Sequence, residues 1–241
     1  MMSKDINYKD KYEHLREQFE VFSYGVSHDL NAPLRHIREF TKILMSSIDD
    51  ITDEQKEAID FITKAVRQSE QMIEGLLTYS RLNTLKKPFY KFNAEHLFIY
   101  ANTALSELIE EKKAVINLPE KLPDIVGDLE QLSNMTTYLI ENSLKFVADD
   151  KIPEIDIDIK EEDENLTIMF KDNGIGINEK YFNDIFLIFK KLDPETSGIG
   201  IGLTLTDKII ERHNGKIQLE SEIGQGTGFY VSIPKNQEQK R

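Results

Sequence analysis

One group along the chain that could take part in group transfer is a histidine beside a carboxylate. His28 is followed directly by Asp29, with Asn31, Arg35 and Arg38 on or near the same side of any helix that carries them. The imidazole therefore has a carboxylate neighbour and cationic company. At 100° per residue, His28 lies about 200° from Val26 on a helical wheel, almost opposite the apolar stripe, and is expected to be exposed. Pro33 removes the amide that would bond the carbonyl of Asp29, so a bend is expected just below the histidine. Taken alone, an exposed histidine on a polar helix face is more often a solvated residue than a nucleophile.

Three further clusters suit an anionic, flat ligand. Asp172-Asn173-Gly174-Ile175-Gly176-Ile177 follows a strand ending at Phe170. Its glycines allow close backbone approach, and its carboxylate can accept from an exocyclic amine. An ordinary turn after a strand reads the same way. Gly198-Ile199-Gly200-Ile201-Gly202-Leu203 opens a helix that ends near His213; bare amides at a positive helix terminus favour phosphate. A dinucleotide fold would space its glycines G-x-G-x-x-G after the first strand of a βαβ unit, which is not the pattern here. Asn142 and Lys145 lie one helical turn apart and suit Mg²⁺ and phosphate oxygens respectively, although isolated polar residues of this kind are commonly surface groups.

The elements that must position these groups follow from periodicity. Leu15, Phe19, Phe22, Val26, Leu30, Leu34, Ile37, Phe40, Leu44 and Ile48 step by three or four, a helical stripe of about nine turns. Asp49 to Asp53 interrupts it, and Thr52 with Gln55 reads as a capping box opening a second helix. That helix carries Ile59, Ile62, Val66, Ile73 and Leu76. The result is an antiparallel hairpin over 8–86. Two helices alone bury too little, so pairing with a second copy into a four-helix bundle is expected, making the protein a homodimer.

Lys86-Lys87-Pro88 breaks the pattern, and a second domain over 87–236 is expected. There Leu97 to Glu111, Leu129 to Phe146 and Ile201 to His213 are helical, the last ending at an Asn214-Gly215 cap. Glu154 to Ile159, Leu166 to Phe170, Lys216 to Glu222 and Thr227 to Ile233 read as strands, with Gly224 to Gly226 turning between the last two. The fold class is α+β: a helical hairpin, then an α/β sandwich with helices on one face of a mixed sheet.

Bulk properties narrow the function. With 30 Lys plus Arg against 43 Asp plus Glu the net charge is -13, which disfavours nucleic acid and anionic lipid as partners. The absence of cysteine removes disulfides and thiol chemistry and fits a reducing, cytoplasmic setting. No apolar run approaches a membrane span, and Met1 to Asp10 is too polar for a signal peptide, so direct membrane insertion is not expected.

Ser27-His28-Asp29-Leu30-Asn31-Ala32-Pro33-Leu34, continued by Arg35, resembles the phosphoacceptor box of the sensor histidine kinases, particularly the phytochrome-like branch reading S-H-D-L-x-x-P-L-R. Glu141-Asn142-Ser143-Leu144-Lys145-Phe146, Asp172 to Gly176, Ile185-Phe186 through Phe189-Lys190-Lys191-Leu192, Gly198 to Leu203 and Gly224-Gln225-Gly226-Thr227-Gly228-Phe229 look like that family's N, first glycine, F, second glycine and third glycine boxes, in the family's order. The resemblance covers roughly Phe19 to Pro234. It implies a Bergerat (GHKL) ATP-binding fold shared with gyrase-type ATPases, with ATP and Mg²⁺ as ligands. By the same resemblance His28 is the nucleophile and Asp29 its base. Asn142 is similar to the metal ligand, Lys145 to a phosphate contact, and Asp172 to the reader of the adenine amine. Gly174 and Gly176 would line the base. Gly198, Gly200 and Gly202 would lie beside the triphosphate, with Phe146 and Leu203 counted in the same pocket. Asn178 to Ser197 would be a lid, and Lys191 stands where relatives often have arginine.

Autophosphorylation and transfer to an aspartate of a response-regulator receiver domain are implied. Two departures qualify that expectation. Tyr138 stands where relatives carry a second Asn, so part of the Mg²⁺ shell is in doubt; it equally cannot supply the water-activating glutamate of gyrase-type ATPases. Ala32 replaces the Thr or Asn that positions water for dephosphorylating a partner, which implies weak phosphatase activity. The alternative is a phosphotransfer or docking module with a weakened ATP-binding domain. A plain ATPase or a serine kinase of this fold would not need the histidine box. About ten residues precede the first stripe, too few for an input domain, so input is expected through a longer protein of which this is the core or through a separate sensor protein.

Overall fold

The computed structural model describes residues 8–48, 50–82, 87–193, 196 and 198–236. The chain divides into two compact units, Met1–Leu85 and Lys86–Arg241. The first is a pair of long helices, α1 (Tyr8–Ser47) and α2 (Asp53–Arg81). α1 runs through Pro33 rather than ending there. α2 begins at the expected capping box: Gln55 N–H donates to Thr52 Oγ1 at 3.2 Å and the Thr52 amide donates to Gln55 Oε1 at 2.9 Å.

On α2 the contact between the helices falls on the expected stripe, whereas on α1 it centres on two serines beside the stripe. Among the described residues, Ser23 and Ser27 are the buried ones of α1, and Ile59, Val66, Ile73, Gly75 and Ser80 those of α2. Ser23 Oγ donates to the Phe19 carbonyl at 2.7 Å, Phe19 meets Tyr79 edge-on at 6.4 Å, and Arg38 Nη1 donates to Glu70 Oε1 at 2.7 Å. Much of the α1 stripe stays open: Phe22 is 62% and Phe40 70% exposed, and Phe61 on α2 is 74% exposed. One helix covers only one side of another, so α2 reaches the serine side of α1 and leaves a second apolar face uncovered.

The second unit runs β1 (Tyr90–Asn93), α3 (Glu95–Ala104), α4 (Ser106–Lys112), β2 (Val115–Asn117), β3 (Asp124–Gly127), α5 (Leu129–Lys145), β4 (Glu154–Glu161), β5 (Asn165–Asp172), two short 3₁₀ turns, α6 (Gly202–Arg212), β6 (Lys216–Glu222) and β7 (Gly226–Pro234). Its main sheet has the order β2-β4-β5-β7-β6, with β2 parallel to β4 and the other pairs antiparallel. β1 and β3 form a separate antiparallel pair. Alternation along the strands turns Ile155, Ile157, Leu166, Ile168, Phe170, Phe229, Val231 and Ile233 inward, where they are buried with Leu132, Met135, Leu139 and Leu144 of α5 and Leu205, Ile209 and Ile210 of α6. Each such side chain contributes about 1.5–3 kcal/mol on burial. The long helix expected over Leu97 to Glu111 is two helices, broken at Leu105 (φ -109°, ψ 10°), where Ser106 Oγ donates to the Thr103 carbonyl.

The start of this unit is strapped to the far ends of α5 and α6. Arg212 sends Nη1 to Asp128 Oδ2 at 2.8 Å and Nη2 to the Lys87 carbonyl at 2.9 Å, and its guanidinium lies 5.2 Å from the Phe89 ring centre. Phe89 stacks on His213 at 4.6 Å. His213 Nε2 accepts the Asp128 amide at 3.0 Å, so Nδ1 carries the proton donated to the Ile209 carbonyl at 2.7 Å. Burial is the main cause that pushes its pKa down to about 4. The unfolded chain therefore takes up this proton near the ordinary value of 6.5 while the folded chain refuses it until about 4. Stability from this group is complete above about pH 6.5 and falls towards pH 4, by up to about 3 kcal/mol. Urea unfolding at pH 7.5, 5.5 and 4.5 checks this: His213→Gln should be less stable at pH 7.5 but flatter across the window, and equal pH dependence in both proteins would contradict it.

Candidate functional site

His28 sits on α1 beside Ser27, which is turned inward and covered. One step of 100° therefore turns the imidazole outward, and its side chain is 76% exposed against 83% for Asp29. Nδ1 lies 3.1 Å from Asp29 Oδ1. A carboxylate beside that nitrogen favours the tautomer with the hydrogen on Nδ1, which leaves the lone pair on Nε2.

The other expected residues are all in the second unit. Asp172 ends β5 and gathers three donors: the amides of Gly174 and Thr227 to Oδ1, each at 2.9 Å, and Ser143 Oγ to Oδ2 at 3.0 Å. Burial raises its pKa above the usual carboxylate value, and the three hydrogen bonds pull it back. The glycines nearby approach protein backbone. A Cβ on Gly174 would lie 2.4 Å from the Phe146 carbonyl oxygen, and one on Gly176, at φ +72°, only 2.0 Å from that of Glu222. The turn is also sewn to the β6–β7 hairpin, with Gly224 N–H donating to the Ile175 carbonyl and Ile177 N–H to Ser221 Oγ, both at 2.8 Å.

The last turns of α5 run beside the second glycine cluster. Tyr138 lies against Gly202, whose added Cβ would meet the Tyr138 Cβ at 3.4 Å. Lys145 Nζ would meet one on Gly198 at 3.3 Å. Gly200, at φ +72°, has the Lys190 carbonyl and Lys191 Cγ at 2.5 and 3.1 Å from the same construction. Asn142 is half-buried between these contacts, Leu203 half-buried in the first turn of α6, and the Phe146 side chain exposed. Lys145 Nζ pairs with Glu141 Oε1 at 2.6 Å. The cluster thus has a half-buried acceptor at one end and lysines with a helix N-terminus at the other, an arrangement suited to a base with an amino group and to phosphates. Of the expected lid, Pro194, Glu195 and Ser197 lie outside the described residues; in the rest, Ile185 is buried and Leu187, Ile188 and Leu192 are exposed. Two open concavities, of about 660 Å³ along Asp207, Glu211 and Lys216 and about 380 Å³ on the outer sheet face by Lys160, Thr167 and Tyr230, lie away from these residues.

Sequence reasoning missed Ser143 and Thr227 as partners of Asp172 and Glu141 as partner of Lys145. The first two pairings join residues 29 and 55 positions apart, which no local pattern reports; the third, at i and i+4, was open to reading. Removing the Asp172 carboxylate orphans donors at about 1–3 kcal/mol each, whereas an amide keeps an oxygen for the two backbone N–H groups. Asp172→Ala should therefore lower unfolding free energy by at least about 2 kcal/mol, with Asp172→Asn clearly milder. Urea titration of both variants tests that order, and equal losses would refute it.

Residues 127–237 match the family described as histidine kinase-, DNA gyrase B-, and HSP90-like ATPase, and residues 20–85 match the His Kinase A (phospho-acceptor) domain. Phytochrome-like protein Cph1 of Synechocystis is 35% identical over 225 residues, covering 92% of this chain and 30% of that protein. The methanogenesis regulatory histidine kinase FilI of Methanothrix harundinacea is 30% identical over 218 residues, covering 90% of this chain and 25% of that one. The chain thus spans between 25% and 30% of the length of such curated relatives. Full-length ShkA, solved in complex with AMPPNP, superposes with a TM-score of 0.68 at 20% identity, over 90% of this chain and 46% of that chain, a likeness of fold. Among the described residues, no helix is long and apolar enough to cross a membrane. With a phospho-acceptor hairpin and an ATPase-type α/β domain joined in one chain, the protein belongs to the histidine kinases and is a sensor histidine kinase catalytic core.

Proposed function

We propose that the chain phosphorylates its own His28 from Mg·ATP and passes the phosphoryl group to an aspartate of a receiver domain. The observation that carries this reading is the exposed imidazole with Asp29 beside Nδ1. The Nε2 lone pair attacks the γ-phosphorus in line; the N–P bond forms as the bond to the β,γ-bridging oxygen breaks, and ADP leaves with that electron pair. Asp29 stabilises the imidazolium that develops and takes up the Nδ1 proton. In the second step a receiver carboxylate oxygen attacks phosphorus, the N–P bond breaks, and His28 is regenerated.

The second unit would hold the nucleotide. Asp172 Oδ2, with one donor from Ser143, has acceptor capacity left for an adenine amine. Lys145, Lys191 and the amides of Gly198, Gly200, Gly202 and Leu203 suit the phosphates. Asn142 would offer its amide oxygen to Mg²⁺, an ion held largely through phosphate and water. When bound, Mg²⁺ neutralises charge on the β- and γ-oxygens. The uncovered apolar face of the hairpin supports a homodimer through a four-helix bundle.

Incubation with γ-labelled ATP should give acid-labile, alkali-stable label in the full chain, none in His28→Gln, and at least about tenfold slower labelling in Asn142→Ala. ATP binding with no label in the wild type would instead support a docking module with a weakened ATP-binding domain. Light scattering at micromolar concentration should give twice the 27.9 kDa chain mass; a monomer would remove the bundle.

A further inference from the structure

Glu141 plays no part in the mechanism above, yet it stands inside the site. Tyr138 against Gly202 and Lys145 against Gly198 define which side of α5 faces the glycine cluster. Glu141, three residues after the one and four before the other, lies on that side. Its Oε1 is 2.6 Å from Lys145 Nζ, and the two side chains are only 35% and 20% exposed. A charge-assisted contact of that length is among the stronger ones. The last turn of α5 is an unfavourable place for a carboxylate, because the helix dipole presents its negative end there. The lysine is therefore what holds Glu141 in place, and Glu141 occupies the ammonium that a phosphate would need.

We propose that Glu141 is a built-in competitor for the Lys145 ammonium, displaced each time a nucleotide phosphate binds, so that it weakens nucleotide binding and speeds departure of the diphosphate product. The inference rests on reading this site as the Mg·ATP site. It gives a carboxylate among phosphate-binding groups a role in turnover: tight capture of ADP would block the next round, and an internal anion that recaptures the lysine opposes that.

Calorimetric titration of the full chain with ADP and with ATP, each with Mg²⁺, tests this in wild type, Glu141→Gln, Glu141→Asp and Lys145→Ala, with melting temperatures confirming that each variant is folded. Glu141→Gln should bind both nucleotides up to about fivefold more tightly, the scale of one partly exposed charge pair. Glu141→Asp, which keeps the charge but shortens its reach, should also bind more tightly, and stopped-flow release of ADP should slow in both. Unchanged or weaker binding by Glu141→Gln overturns the proposal. So does a wild-type affinity in Glu141→Asp alongside tightening in Glu141→Gln, because simple repulsion then suffices. A wild type that binds no ATP, or a Lys145→Ala variant that binds as well as wild type, brings down the reading of the site itself and the inference with it.

Discussion

A carboxylate stripped of much of its water has to collect donors, and the way Asp172 does so organises the second unit. Its two oxygens draw on α5 through Ser143, on its own turn through Gly174 and on β7 through Thr227. Those three segments can converge only if nothing projects between them. A Cβ on Gly226, at φ +98°, would lie 1.9 Å from the Asp172 carbonyl oxygen. The glycines of the first and third clusters thus serve closure of the protein upon itself. A glutamate in place of Asp172 would push the carboxylate about one methylene too far to keep both backbone donors.

The hairpin is under the opposite regime. Its internal contact is thin and partly made of serines, with one buried hydroxyl bonded back to its own helix. Its exposed phenylalanines give it more to gain from a second surface than from its own. Pro33 sits within α1 five residues beyond His28, where one hydrogen-bond rung is missing. His28 thus rides on a helix that lacks one backbone hydrogen bond close by, while the α/β unit is tied around Asp172 by donors from three segments.

Local patterns were legible where the determinant is local. The outward turn of His28, the Thr52 capping box, the strand Lys216–Glu222 and the left-handed cap at Asn214, observed at φ +53°, all follow from residues a few positions apart. The short strands Tyr90–Asn93, Val115–Asn117 and Asp124–Gly127 did not stand out, because three or four residues carry too little alternation to register. Which side of α1 meets α2 was not legible for a different reason: a stripe assigned by hydrophobicity does not say how much of it one neighbour can cover. Within the site, the glycine clusters, Asn142, Lys145 and Asp172 were visible as types and spacing, whereas Ser143 and Thr227 acquire their meaning only from distant partners.

The strap of Lys87 and Phe89 onto Arg212 and His213 changes where the ATPase-type unit should be said to begin. The family match starts at residue 127, but β3 within Asp124–Gly127 pairs with β1, α3 packs on α5, and Phe89 stacks on His213. A fragment cut at the match boundary would leave an unpaired strand stub, bare the apolar flank of α5 and let water reach His213. The compact unit Lys86–Arg241 is therefore longer at its amino end than the residues that match the family, and Lys87 and Phe89 are part of its packing.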